Sequence, residues 1–181
     1  MWFFLHFASA EEQLKRLTDI GHEIVPIMSF NASSLDTRFG NAGDHINKIE
    51  NICGRTVIKT IEDAEPLGPK EKLDMLIICP CTGNTLAKLA QGITDTPVTM
   101  ATKAHLRADR PLLIALATND GLSANLSNLN AMQKRKGVYF VPLKQDDPEK
   151  KPHSLVCDFD KLGESLYAAL RGEQLRPMFI S

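Results

Sequence analysis

Three short stretches of this 181-residue chain concentrate Ser, Thr, Asn and Gly: "SFNASS" at 29–34, "PCTGNT" at 80–85 and "TNDGLSAN" at 118–125. Each follows an apolar run. In an open α/β sheet the ligand crevice lies beyond the carboxyl ends of the strands, where backbone N–H groups at helix starts point outward. Side-chain hydroxyls and amides placed there hold a polar group without adding net charge. The central stretch also reads as plain structure. Pro80 has no N–H to donate and ends a strand, Gly83 lets the backbone turn, and Asn84 or Thr85 can cap the helix that follows. Both readings of that hinge stay open on residue types alone.

The elements that must position these stretches follow from the apolar pattern. Strands are expected at 23–30, 73–80, 111–118 and 137–143, with a shorter one at 55–60. "MLIICP" and "LLIALA" are apolar without alternation, as central strands covered on both faces are. Apolar residues three and four apart mark crossover helices around Leu14 and Leu17, Ile46 to Ile52, Leu86 to Ile93, and Leu122 to Met132. A last helix is expected at about 158–171, stopped by Gly172. The alternation predicts one α/β domain over 1–181, a flavodoxin-like three-layer sandwich with a mostly parallel sheet. Two stretches, 65–72 and 144–154, read as polar loops.

Composition narrows the function classes. A charge of −1, 43% hydrophobic and 24% charged residues describe a globular chain and leave no basic footprint for nucleic acid. The apolar opening "MWFFLHF" is seven residues long, far short of the ~20 needed to span a membrane. Cys53, Cys79, Cys81 and Cys157 form neither a CxxC pair nor a zinc set, so reduced thiols in a cytoplasmic protein are expected. Asp146 and Asp147 are adjacent but lack further metal ligands, and His105 is expected at a surface or helix end.

Beyond the hinge, "PCTGNTLAKLAQGITDTP" resembles the PASANT-type motif of the flavoprotein family that includes the homo-oligomeric flavin-containing cysteine decarboxylases. Pro80, Asn84, Thr85, Ala87, Lys88, Ala90, Gly92 and Asp95 match that motif, while Cys81, Thr82 and Gly83 replace its Ala-Ser-Ala. "TRFG" at 37–40, "AEPLGPK" at 64–70, "RPLLIALATND" at 110–120 and "QDDPEKKP" at 145–152 resemble, within that family, the B-type branch of dipicolinate synthases.

The resemblance implies an oxidoreductase subunit with FMN at the hinge. Pro80, Thr82, Gly83, Asn84 and Thr85 would hold the cofactor, with Ser29, Asn31, Thr118 and Asn119 lining the same crevice. Asn84 would stand beside the reacting centre. The overall reaction implied is NAD(P)-dependent oxidation of a dihydrodipicolinate to dipicolinate during sporulation. The nicotinamide would sit on a partner A-type subunit, since this chain has no GxGxxG. Self-association is also implied. A planar dicarboxylate substrate wants Arg or Lys, and Arg38 is the first candidate, ahead of Lys70, Lys150 and Lys151.

The chain departs from the family at its start, where a strand and a G-x-x-x-T-G-S turn would cradle the FMN phosphate. No Gly precedes Gly21, so the first strand is expected to be atypical and the phosphate turn altered. A cofactor-free scaffolding subunit is therefore the alternative to an FMN-binding one. A decarboxylase is disfavoured because no His stands between His45 and His105, where that branch carries its active-site His.

Overall fold

The computed structural model describes residues 6–37, 40–68 and 70–180. Helix α1 (Phe7–Asp19) opens the described chain and is followed by α2 (Phe30–Ser34), α3 (Ala42–Cys53) and α4 (Ile61–Ala64). Strand β1 (Leu76–Cys81) leads into α5 (Gly83–Gln91) and α6 (Pro97–Leu106). Strand β2 (Leu112–Thr118) leads into α7 (Leu126–Gln133), then β3 (Val138–Phe140), β4 (Leu143–Gln145) and β5 (Leu155–Cys157), and α8 (Leu162–Leu170) is the last helix. The helices fall into two groups, α1, α2, α3 and α8 against α4, α5, α6 and α7, each packed within itself. Both groups reach β1 and β2, which gives the three layers expected from the sequence.

The sheet is mixed. β2 pairs in parallel with β1 on one side and with β3 on the other, and its last residues, Ala117 and Thr118, pair antiparallel with β5. β5 in turn pairs antiparallel with β4. β2 is the hub, and five consecutive residues, Leu112 to Leu116, are completely buried. That explains why its sequence shows no alternation.

The differences from the expected elements have local causes. The expected strands at 23–30 and 55–60 form a single parallel bridge, Ile27 with Ile58, instead of a ladder, and Phe30 already belongs to α2. The expected strand at 137–143 is two strands, because Pro142 cannot donate to a ladder. Lys144 and Gln145, the first residues of the supposed polar loop at 144–154, belong to β4, which pairs with β5 just beyond the end of that loop. Helix α6 was not expected, since it carries no apolar stripe; in the structure Thr96 and Thr99 start it with a reciprocal capping box, with Pro97 in the first turn. α5 ends earlier than expected because Gly92, with φ +71°, caps it and leaves Ile93 outside and exposed. Leu122 likewise lies before α7. His105 does sit at the end of α6, but it is fully buried and not at the surface. The atypical first strand expected at the start falls on 1–5, outside the described residues. No helix among the described residues is long and apolar enough to cross a membrane.

Candidate functional site

The hinge is built from the end of β1 and the start of α5. β1 runs through Pro80 to Cys81, correcting the expectation that Pro80 ends it. The Cys79–Pro80 peptide is cis, and the register with β2 shifts between Ile78 and Cys81. The helix cap is Thr82, not Asn84 or Thr85: its Oγ accepts from the Thr85 N–H at 3.3 Å and its hydroxyl bonds the Thr85 hydroxyl at 3.2 Å. With capping delegated to Thr82, Asn84 is exposed on the first helical turn, and its side chain makes no hydrogen bond to a described residue.

Gly83 is required by what packs on it. A Cβ there would lie 2.5 Å from Asn125 Nδ2, 2.5 Å from Thr118 Oγ1 and 2.9 Å from Asp120 Oδ1. The loop after β2 thus sits directly on the hinge. Thr118 Oγ1 donates to Asp120 Oδ1, Asn125 Nδ2 donates to Asp120 Oδ2, and Asn128 Nδ2 donates to Asn125 Oδ1. Ser154 Oγ donates to the Thr118 carbonyl and ties β5 to the same corner. The segment 118–125 stood out in the sequence for its composition. The lock through Asp120 and Asn125 did not, since it needs the loop to fold back on the hinge.

The expected site residues separate into two neighbourhoods flanking the hinge. Ser29, Pro80 and Thr85 line one cavity of about 670 Å³, walled by the extended segment 22–29, β1, α1 and α8. Thr118 and Asn119 line a small pocket of about 10 Å³ together with His6, Asp146 and Ser154. Ser29 caps α2 by accepting from the Ala32 N–H, while Asn31 and Asn119 are exposed. Arg38 lies outside the described residues. Lys70 is exposed, Lys151 is paired with Asp146 at 2.7 Å, and Lys150 reaches Asp147 at 3.8 Å. No cluster of three metal-ligating side chains occurs among the described residues.

A buried polar cluster that sequence reasoning missed also reaches the large cavity. Glu11, 6% exposed, accepts from Lys48 Nζ and lies 2.8 Å from His45 Nδ1. His45 packs edge-on against Phe7, and its Nε2 is buried with no hydrogen-bond partner among the described residues. The amphipathic pattern of α1 gave no sign of this, since Glu11 takes a core position by pairing with charges from α3.

Burial keeps the cysteines near the hinge in the thiol form. Burial pushes the Cys79 thiol up to about 12, and burial together with Cys79 pushes Cys81 higher still. Burial also raises Cys157 well above 9.0. All four are free thiols. The large cavity offers the Ser29 and Thr85 hydroxyls beside aliphatic side chains of segment 24–28, β1, α1 and α8, with Glu11, Glu23, Arg55, Glu71, Lys72 and Asp74 also in its lining; hydroxyls next to apolar walls suit the ring system of a flavin. Both Asp120 oxygens already accept a hydrogen bond, one from Thr118 and one from Asn125, which holds the carboxylate against the hinge.

A family model named Flavoprotein matches residues 6–167. The chain is 43% identical over 168 residues to the B chain of dipicolinate synthase from Bacillus subtilis, covering 93% of this chain and 84% of that protein. The crystal structure of the corresponding dipicolinate synthase chain from Bacillus halodurans superposes with a TM-score of 0.90 at 38% identity, covering 98% of this chain and 91% of that one. At 23% identity and a TM-score of 0.66, the FMN-dependent cysteine decarboxylase SpaF shares the fold, covering 92% of this chain and 89% of that one. Family match, identity over nearly the whole length and superposition agree, and the chain belongs to the Flavoprotein family, in its B-type dipicolinate synthase branch.

Proposed function

We propose that this chain is the B-type subunit of a dipicolinate synthase. It works with a separate A-type subunit in the NAD(P)-dependent oxidation of dihydrodipicolinate to dipicolinate during sporulation. The observation that carries this reading is the 43% identity over 93% of the chain to a dipicolinate synthase chain of that type. The crevice supports it. Asn84 stands exposed on the first turn of α5, Thr85 and Ser29 line the adjoining cavity, and Thr118 is locked against the hinge on the other side. FMN, when bound, supplies a ring able to accept and return electrons. Around it, Ser29, Asn31, Pro80, Thr82, Gly83, Thr85, Thr118 and Asn119 form the holding set. Asn84 orients the reacting ring through its amide, and Arg38 receives a substrate carboxylate. The nicotinamide belongs to the partner, as the chain has no GxGxxG turn. Self-association is part of this reading, with Phe30 at the start of α2 and Leu35 at its end, both exposed, supplying apolar surface.

A second reading, a cofactor-free scaffolding subunit, is favoured by one feature. The Glu11 carboxylate, buried in the first half of α1, faces the cavity and opposes a phosphate placed near that helix start. FMN titration followed by absorbance distinguishes the two, a perturbed band saturating at one equivalent supporting the first. Asn84→Ala should then lower turnover of the reconstituted pair at least about tenfold. Unchanged turnover removes Asn84 from the mechanism.

A further inference from the structure

The sheet edge remote from β1 is closed by the segment that follows α8. Among the described residues β3 pairs with β2 and β4 pairs with β5, so each strand turns its other side outward. The Val141 N–H reaches back to the Ile114 carbonyl of β2, so Phe140, one residue earlier, faces away from β2. The Phe140 N–H donates to Gln174 Oε1 at 2.8 Å, and the Phe140 carbonyl accepts from Gln174 Nε2 at 2.6 Å. A side-chain amide carries both a donor and an acceptor, and here it stands where a neighbouring strand would. In β4, Leu143 is paired by backbone instead. Its N–H donates to the Met178 carbonyl at 2.7 Å, and its carbonyl accepts from the Ile180 N–H at 2.9 Å.

Burial does not account for these contacts. None of residues 171–180 is buried, and Phe179, which bridges to Leu143, is 55% exposed. Met178 packs partly buried against the core, with Gln133 Nε2 donating to its sulfur at 3.2 Å. The segment is thus held chiefly by its four hydrogen bonds to two strand edges. An element attached in that way opens locally far more often than the core does. α8 ends at Leu170, before the segment begins, so its release leaves the helix whole. Each opening bares an edge with which another strand can pair.

We propose that residues 174–180 form a releasable strap that guards the β3–β4 edge. Closed, it satisfies Phe140 and Leu143; open, it exposes them to strand pairing with the same edge of a second copy, an arrangement that a two-fold axis closes. The proposal does not rest on what the hinge crevice binds.

The test compares the full chain with the double variant Gln174→Ala, Ile180→Pro, which removes both side-chain bonds to Phe140 and the Ile180 donor. In dilute protein, hydrogen exchange at the Phe140 and Leu143 amides should be at least about tenfold faster in the variant. The Val141 amide, bonded to Ile114 within the sheet, should not change. At raised concentration, analytical ultracentrifugation should show the variant forming particles larger than any the unaltered chain forms, with both amides slow again. Three results would overturn the proposal: unchanged exchange in the variant, opened amides with no larger particles, or larger particles in which Phe140 and Leu143 stay fast. The last would place the association on another surface. Should the double variant not fold, Gln174→Ala alone, which leaves the bonds at 178–180 in place, carries the same test with Phe140 as the reporting amide.

Discussion

Thr118 Oγ1 donates to Asp120 Oδ1 across 2.5 Å, and the pair rests on the one position of the hinge that has no side chain, Gly83. The strand-end loop and the helix start are thereby a single packed unit. The matching motif of the family carries Ala at this position, and the difference has a physical cause here: the loop side chains occupy the space a methyl would need.

Gly83→Ala should destabilise the fold by about 1–3 kcal/mol, because neither Asn125 nor Thr118 can yield without breaking its bond to Asp120. Gly163→Ala is the control. Nothing lies within 4 Å of a Cβ at that position in α8, so stability should rise by about 0.4–1 kcal/mol. Denaturant midpoints of the two variants check this, and a rise in both would mean that Gly83 is an ordinary helical glycine.

The capping box at the start of α6 should be worth about 1 kcal/mol, so Thr96→Ala lowers the melting temperature while Thr96→Ser largely restores it. Thermal unfolding of both variants is the measurement. Equal loss in Thr96→Ser would assign the effect to the lost methyl.

Stability should fall on acidification below pH 6.5. Burial, opposed by the hydrogen bond to the Pro111 carbonyl and helped by Arg110, holds His105 below its ordinary value of 6.5. His6 is lowered in the same direction, chiefly by burial. The unfolded chain therefore takes up protons first. The stability these residues contribute is complete above pH 6.5 and is lost as pH falls toward their folded values. Replacing His105 by Gln, which keeps a donor toward Pro111, should flatten unfolding midpoints measured between pH 7 and pH 5. An unchanged slope would exclude His105 as the source.

Thiol labelling at pH 8 should spare Cys79, Cys81 and Cys157 in the folded protein and reach Cys53 first. The first three are raised strongly by burial, whereas Cys53 is only partly buried. Mass spectrometry of the labelled peptides checks the order, and early modification of Cys81 would contradict the buried hinge.

Much of the fold was legible from local pattern. Leu112 to Leu116 announced a central strand because a strand covered on both faces must be apolar at every position. Gly172 stopped the last helix as expected, with φ +79°. The hinge motif also marked the family correctly.

The sequence by itself determined the layered α/β plan and the family, because both rest on periodicities and motifs within a few residues. Tertiary structure alone decided three things: that Thr82 and not Asn84 caps α5, that Asp120 and Asn125 close over Gly83, and that segment 23–28 stands apart from β1. Each depends on groups distant in sequence competing for the same space or the same hydrogen bond. Such competition leaves no periodic trace. Glu11 shows the same reason, since a carboxylate in the core position of a helix reads as a mistake until Lys48 and His45 arrive from another helix to pair with it.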